Sequence, residues 1–271
     1  MGDNQLINGQ YLLVREIDRG GSATVYFGID QFRGFPVAIK IPHPSRFTDS
    51  AARRQFRLEA NLYLQLQHPN IVQLTDLYIQ NDTTYYLIMD YVDGLTLNKY
   101  IAQKTGPIPE GKAKNFMLQI LQGIGYAHQK KVVHRDIKPN NVMITNSDEK
   151  IKVLDFGIAI PEKQKQQSKI EGTPMYMSPE QIDSVHIDHR SDIYSLGVTL
   201  HQMLTGKLPY QPNSTRREVF DKIKTEKLPR AISLYPFVSE GMQRIIDKAT
   251  EKNPEKRFQS CNEFAEALAK L

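Results

Sequence analysis

The segment VVHRDIKPNNVMI, residues 132–144, sets a group of polar side chains between apolar flanks. Within eight residues it carries His134, Arg135, Asp136, Lys138 and Asn141. A second segment, VLDFGIA at residues 153–159, adds the carboxylate of Asp155. Together the two segments supply carboxylates, a cation and an amide, so the sequence indicates a site that handles charged groups.

These residue types match what phosphoryl transfer from a metal-bound nucleotide requires. A carboxylate must receive the proton of the attacking hydroxyl, a cation must offset charge on the moving phosphoryl group, and hard oxygen ligands must hold the metal. Asp136 fits the first role and Lys138 the second. Asn141 and Asp155 offer side-chain oxygens to the metal.

Length and composition allow one large domain or two small ones, because 271 residues compare with roughly 100–200 per domain. The net charge of +5 forms no basic tail, so nucleic acid is not predicted as a partner. The single cysteine, Cys261, excludes an intramolecular disulfide. It shares helical spacing with Phe258, Phe264 and Leu268, which predicts a small buried apolar residue rather than a nucleophile. No apolar run reaches the ~18 residues of a membrane helix.

Local patterns change along the chain. The first ~90 residues contain short runs rich in Val, Ile, Tyr and Thr, typical of strands, and one helix after the capping segment TDS at residues 48–50. From about Thr96 the pattern becomes helical, with Phe116, Ile120 and Ile124 spaced four apart. The segment RSDIYSLGVTLHQMLTG, residues 190–206, predicts a central buried helix.

The chain resembles a eukaryotic-type protein kinase domain in its bacterial Ser/Thr form. The motifs stand in order: an altered glycine loop from Ile17, VAIK at residues 37–40, a helix glutamate, HRDIKPNN, DFG and GTPMYMSPE at residues 172–180. The resemblance covers nearly the whole chain. It implies an α+β, bilobal protein kinase fold and a single domain over residues 1–271, with an N-lobe of about 1–92 and a C-lobe of about 93–271.

The resemblance assigns further roles around the catalytic segment. Lys40 would contact the α- and β-phosphates while pairing with Glu59, whereas an exposed strand lysine is the alternative. His134 is expected to pack with Phe156, Tyr63 and Leu74 rather than to act in catalysis. Asp192 would anchor the backbone of the catalytic loop.

The glycine loop departs from the kinase pattern G-x-G-x-x-G-x-V. Its pattern positions read Asp18, Gly20, Ala23 and Val25, so only the middle glycine remains. That glycine lies where the backbone must approach the phosphates most closely. We therefore expect a working ATP loop, formed by Ile17, Asp18, Arg19, Gly20, Gly21, Ser22, Ala23, Thr24 and Val25.

The adenine side of the site follows from YLIMDYVDG at residues 86–94. Met89 resembles the gatekeeper, and the Asp90 carbonyl and Val92 amide would bind the adenine edge. The ring would lie between Val25, Ala38 and Met143. A simple connecting strand is the alternative reading, and the same backbone can serve both purposes.

Substrate class and partners also follow from the resemblance. Lys138 together with Thr173 is the Ser/Thr pattern, and Glu180 is expected to form a buried ion pair with Arg257. The implied cofactors are ATP and Mg²⁺, with Mn²⁺ as the alternative metal, and the implied partners are protein substrates with Ser or Thr hydroxyls. An N-lobe homodimer is a further expectation, as is a cytoplasmic location, either free or as the intracellular domain of a membrane-anchored receptor kinase.

Two other functions compete with a Ser/Thr protein kinase. A pseudokinase-like binding scaffold predicts loss of Lys40, Asp136 or Asp155, and all three are present. Only the altered glycine loop favours that scaffold. A small-molecule kinase of related fold would lack the segment at residues 172–180, which holds a peptide substrate.

A phosphoserine at position 168 would pair with Arg135 and order the activation loop. Ser168 is the only hydroxyl between Gly157 and Gly172 and is flanked by lysines, although such a loop can also remain unmodified. We expect autophosphorylation of Ser168. Mass mapping after incubation with ATP checks this, and phosphate found only elsewhere would reject it.

Asp18 places a carboxylate near the expected triphosphate. Because like charges repel, replacing it in Asp18→Gly should lower the KM for ATP. Initial rates measured against ATP concentration test this expectation. An unchanged KM would show that the carboxylate exerts no repulsion.

Overall fold

A computed structural model describes residues 5–47, 49–81, 83–156, 174–183, 185, 187–210 and 215–271. These residues form two compact units. The N-terminal unit contains residues 5–93, and the C-terminal unit contains the described residues from 94 onward. Among the described residues, no helix combines the length and the apolar character needed to cross a bilayer.

The N-terminal unit is built on an antiparallel sheet with the strand order β1-β2-β3-β4-β6-β5. Its strands are β1 (Leu6–Ile7), β2 (Tyr11–Arg19), β3 (Ala23–Asp30), β4 (Phe35–Pro42), β5 (Leu74–Gln80) and β6 (Thr84–Asp90). The helix predicted after TDS is α1 (Ser50–Leu64), and the Asp49 carboxylate caps it by accepting the Ala52 amide at 2.7 Å.

Alternation along β4 separates the two faces of this sheet. Val37, Ile39 and Ile41 are buried, whereas Ala38 and Lys40 are half-buried on the opposite face. The buried face contributes to a core cluster of Ile7, Tyr11, Leu13, Val37, Ile39, Ile41, Tyr86 and Ile88. Burial of one face therefore fixes the direction in which the Lys40 face of the sheet points.

The C-terminal unit is mainly helical. Its helices are α2 (Leu97–Tyr100), α3 (Glu110–Gln129), α4 (Pro179–Asp183), α5 (Arg190–Thr205), α6 (Arg216–Thr225), α7 (Ala231–Leu234), α8 (Glu240–Ala249) and α9 (Cys261–Ala269). Helix α5 is buried from Ser191 to Thr205, which confirms the predicted central helix. At Gly197 a Cβ would lie 2.7 Å from the Cβ of Ala249, so only glycine lets α5 and α8 approach this closely.

Three short strands, which the sequence pattern did not indicate, accompany the helices of the C-terminal unit. They are β7 (Gly94–Thr96), β8 (Val142–Thr145) and β9 (Ile151–Val153), which form one antiparallel sheet. Strands of three or four residues leave too little alternation to be recognised in the sequence. Their position matters, because β8 follows the HRDIKPNN segment and β9 precedes Asp155.

Candidate active site

The carboxylate of Asp136 is held by two neighbours on its own loop. Lys138 donates from Nζ to both carboxylate oxygens, at 3.0 and 2.7 Å. Asn141 donates from Nδ2 to Oδ2 at 2.9 Å and to the Asp136 carbonyl at 2.8 Å. The Asp136 side chain remains 51% exposed, so a substrate hydroxyl can reach it.

The β8–β9 pairing brings Asp155 next to Asn141. Val142 pairs with Val153, and the Leu154 amide donates to the Asn141 carbonyl at 2.9 Å. The side-chain nitrogen of Asn141 donates to Asp136, so the Asn141 Oδ1 atom is left to act as a metal ligand. Asp155 has a φ of 59°, a left-handed conformation that a non-glycine residue rarely adopts and that is frequent at functional sites.

His134 is fully buried and serves the structure of the loop. Its Nε2 donates to the Leu154 carbonyl at 2.7 Å, and its Nδ1 accepts the Asp136 amide at 3.3 Å. The ring also packs against Phe156, with 4.8 Å between the centroids. This confirms the predicted contact with Phe156, while the extension to Tyr63 and Leu74 stays a prediction. The two hydrogen bonds tie Asp136 to the strand end before Asp155.

Asp192 anchors the same loop from α5, as predicted. Its Oδ2 accepts the His134 amide and its Oδ1 accepts the Arg135 amide, both at 2.8 Å. Burial alone would raise the pKa of Asp192, but hydrogen bonds from His128 and from the His134 amide outweigh it and hold the pKa below its ordinary value. The carboxylate therefore stays ionised although it is 1% exposed.

His128 and Cys261 extend this anchor. His128 donates from Nε2 to Asp192 at 2.8 Å, so its Nδ1 can accept from the Cys261 thiol at 3.6 Å. Burial and the charge of Asp192 raise the pKa of the Cys261 thiol, which keeps the sulfur protonated. The thiol is thus a buried donor, and the prediction that Cys261 is not a nucleophile agrees with its 2% exposure.

Arg135 adopts a second left-handed conformation, with a φ of 67°. Asp192 holds its amide, and the Gln181 side chain donates to its carbonyl at 2.8 Å. Gln181 also accepts the Ser178 amide at 3.0 Å, so it links the SPE segment to the catalytic loop. The Arg135 Nε atom is buried without a hydrogen-bond partner among the described residues, and the predicted pairing of Arg135 with a phosphoserine stays a prediction.

The predicted ion pair between Glu180 and Arg257 is confirmed. The guanidinium donates to both carboxylate oxygens at 2.7 and 2.8 Å. It also donates to the carbonyls of Glu251, Arg190 and Lys252, so every guanidinium N–H has an acceptor. Burial raises the pKa of Glu180, but the hydrogen bond and charge of Arg257 prevail, and the pKa lies below its ordinary value.

Four predicted nucleotide-binding residues share one face of the N-terminal sheet. Val25 pairs with Lys40, and Ala38 pairs with Met89. Directly opposite residues in neighbouring strands point to the same side, and Ala38 and Lys40 are two positions apart on β4. The sheet thus brings together Lys40, the two side chains predicted to contact the adenine ring, and the predicted gatekeeper.

The glycine loop forms the hairpin between β2 and β3. The Gly20 amide donates to the Ala23 carbonyl at 3.0 Å and closes a tight turn. Asp18 is exposed, and the Arg19 guanidinium pairs back with Glu16. Ile17 lies in a bulge between the paired positions Glu16 and Asp18.

The remaining nucleotide-site assignments stay predictions. Glu59 lies on α1 and accepts a hydrogen bond from Gln55 at 2.8 Å, and Asp90 ends β6. Val92 follows in the connecting segment, and Met143 lies on β8 of the C-terminal unit. The expectations for Gly157, Ser168, Gly172 and Thr173, and for the lysines at 163, 165 and 169, lie outside the described residues.

Sequence reasoning missed three side chains that shape these segments. His128, Gln181 and His43 act through hydrogen bonds to carboxylates or backbone carbonyls that are 22 to 64 residues away in the chain. His43 and His128 each follow an apolar segment, which is a weak signal, whereas the polar surroundings of Gln181 offer none. Their partners become evident only when the strands and helices are assembled.

The protein kinase domain family matches residues 11–269. The chain belongs to the protein kinase family. It is similar to the serine/threonine-protein kinase PrkC of Bacillus subtilis, 38% identical over 95% of this chain and 40% of PrkC. A probable serine/threonine-protein kinase PknB of Lactococcus lactis is 34% identical over 96% of this chain and 42% of PknB.

Solved structures agree with this membership. The PknI kinase domain of Mycobacterium tuberculosis matches with a TM-score of 0.81 and 26% identity, covering 100% of this chain and 99% of that domain. The predicted bilobal kinase fold and the bacterial Ser/Thr kinase resemblance are therefore confirmed. Membership of the family implies use of ATP with a divalent metal. The chain spans about 40% of the length of the curated relatives it matches.

The Glu180–Arg257 pair should contribute to the acid sensitivity of the C-terminal unit. Glu180→Gln leaves a buried guanidinium without its counter-charge and should cost about 3–5 kcal/mol of unfolding free energy at neutral pH. Because the folded-state pKa of Glu180 is lowered, its contribution is present above the unfolded-state pKa and is lost as the pH falls through the folded-state pKa. Urea unfolding at several pH values measures this.

The matched control is Glu240→Gln, which breaks the exposed pair with Arg230. It should change stability little at any pH, because exposed pairs contribute little. Equal losses in the two variants, or a Glu180→Gln loss that does not shrink in acid, would contradict the assignment.

Proposed function

We propose that this chain is a catalytically active kinase domain that transfers the γ-phosphoryl group of ATP to serine or threonine hydroxyls of proteins. The observation that carries the proposal is the Asp136 carboxylate, exposed yet held by Lys138 and Asn141, with Asp155 next to Asn141 along the β8–β9 pairing. A scaffold that only binds partners does not need a carboxylate oriented in this way.

The proposed chemistry follows from the positions of these groups. Asp136 would accept the proton of the substrate hydroxyl as that oxygen bonds to the γ-phosphorus, while the bond to the β-phosphate oxygen breaks and ADP leaves. The hydrogen bonds from Lys138 and Asn141 hold the carboxylate in this orientation. Lys138 lies 2.7 Å from Asp136 and offsets negative charge on the transferred group. Since Lys138 is 19% exposed while Asp136 is 51% exposed, the lysine is largely fixed before substrate arrives.

The metal proposed is Mg²⁺, with Mn²⁺ as the alternative. Asn141 Oδ1 and the Asp155 carboxylate are hard oxygen donors, which is the donor set that fits these ions. Among the described residues no group of three or more His, Cys, Asp or Glu side chains could hold a metal by itself. A site with two protein donors agrees with Mg²⁺, which commonly takes its other ligands from phosphates and water. Bound there, the ion would neutralise charge on the phosphates.

The nucleotide is proposed to lie against the Val25, Ala38, Lys40 and Met89 face of the N-terminal sheet. Lys40 would contact the α- and β-phosphates, supported by Glu59, and the loop from Ile17 to Val25 would cover the phosphates. The Asp90 carbonyl and the Val92 amide would hold the adenine edge, and Met143 would close the ring site. The shared face of these strands supports this part of the proposal.

The proposal extends to the setting of the domain. Protein substrates would include the kinase itself, and the domain would act in the cytoplasm, either free or as part of a membrane-anchored receptor kinase. The domain is also proposed to form a homodimer through its N-lobe. The pseudokinase alternative draws support only from the altered glycine loop.

Asp136→Asn provides the decisive variant. The amide cannot accept the hydroxyl proton, so transfer of labelled phosphate from ATP to generic proteins should fall about 10²–10⁴-fold. Nucleotide binding should persist, because Asp136 has no proposed contact with ATP. Equilibrium binding of a fluorescent ATP analogue measures the second quantity.

Asp148→Asn is the control, because Asp148 is a solvated carboxylate paired with Lys150 in the β8–β9 turn. It should leave the transfer rate unchanged. Wild-type protein that binds ATP without transferring phosphate would favour the scaffold, and equal activity of wild type and Asp136→Asn would remove Asp136 from the mechanism.

A further inference from the structure

His43 contacts the glycine loop at three places. It follows β4, and its backbone amide donates to the Ser22 carbonyl at 2.9 Å. Its ring Nδ1 lies 3.2 Å from the Gly21 carbonyl, and its Nε2 lies 3.4 Å from the Thr24 hydroxyl. The residue thus reaches the tip of the hairpin and its first buried polar side chain, since Thr24 is 6% exposed.

The partners determine where the ring carries its proton. A carbonyl oxygen can only accept, so Nδ1 must donate to Gly21. In the neutral ring, Nε2 then accepts from Thr24, whose hydroxyl can rotate to donate. One tautomer therefore satisfies both contacts, and the ring is fixed in plane by hydrogen bonds at its two nitrogens.

These contacts orient the peptide groups at the loop tip. In a planar trans peptide the N–H points opposite to the carbonyl. Because His43 holds the carbonyls of Gly21 and Ser22, the following amides, those of Ser22 and Ala23, point away from His43. Successive backbone amides that point the same way can form a binding site for an anion.

The pairing of the strands alone does not order the peptide groups at the loop tip. The pairing of β3 with β4 ends at Ala23 and Pro42, so the residues at the tip lie beyond the ladder. Gly20 and Gly21 are exposed, and consecutive glycines lose more conformational entropy on ordering than other residues do. Besides the turn bond between Gly20 and Ala23, hydrogen bonds from His43 hold this tip.

We propose that His43 is a positioning residue for the phosphate-binding loop, holding the Ser22 and Ala23 amides in the orientation that receives the ATP phosphates. This inference rests on the proposed function, because it takes ATP to be the ligand of the loop. A preordered loop binds its ligand at a lower entropic cost, so the side chain of His43 acts on nucleotide affinity.

The test uses variants that separate the side chain from the backbone. His43→Ala keeps the backbone amide but loses both ring contacts. His43→Asn retains a donor near the Nδ1 position and should restore the bond to Gly21. Thr24→Val removes the second contact at similar volume. Phe32→Ala, which truncates an exposed residue in the turn between β3 and β4, serves as the control.

Two readouts are compared for each variant. In His43→Ala the KM for ATP should rise about fivefold, the factor that one net hydrogen bond of ~1 kcal/mol represents, with kcat at saturating ATP within about twofold. Hydrogen exchange at residues 21–23 should accelerate in the nucleotide-free protein. His43→Asn should recover both quantities, Thr24→Val should show a smaller change, and Phe32→Ala should show none.

Several results would overturn the proposal. An unchanged KM and unchanged exchange in His43→Ala would show that the ring does not order the loop. A lower melting temperature and kcat with unchanged KM would indicate a packing role alone. If the wild type transfers no phosphate, the proposed function fails, while accelerated loop exchange in His43→Ala would still establish the clamp.

Discussion

The carboxylate of Asp192 is the group on which the geometry of the catalytic loop depends. Buried in α5, it accepts the amides of His134 and Arg135, whose carbonyl is bound in turn by Gln181. These bonds hold Arg135 in a left-handed conformation that a free chain would seldom adopt. The residue that follows is Asp136, so the direction of its carboxylate is set by an ionised group inside the C-terminal unit.

An unpaired charge inside a helical core would be costly, and the surroundings of Asp192 show how the cost is offset. Three N–H groups of the described residues donate to the Asp192 oxygens, one from His128 and two from the loop backbone. The Cys261 thiol donates to Nδ1 of His128, the ring nitrogen that does not contact Asp192. Helices α3, α5 and α9 therefore converge on the loop through hydrogen bonds rather than through apolar contacts alone.

Much of this organisation could be predicted from the sequence. Helix α3 runs from Glu110 to Gln129 as its apolar spacing indicates, and the roles of Asp192, His134, Glu180 and Arg257 follow from motif order. Contacts that link distant segments could not be predicted. His43 meets Gly21 only because β3 and β4 pair, and the β7–β9 sheet is too short to show a period.

We propose that Asn141 and Asp155 hold the metal while Asp136 stays available for the substrate. A crystal structure with Mg²⁺ and a non-hydrolysable ATP analogue tests this arrangement. We expect Mg²⁺ at about 2.0–2.1 Å from Asn141 Oδ1 and an Asp155 oxygen, with the Asp136 carboxylate uncoordinated beside Lys138. A metal bound instead by Asp136, or a nucleotide that binds without contact to Asp155, would contradict it.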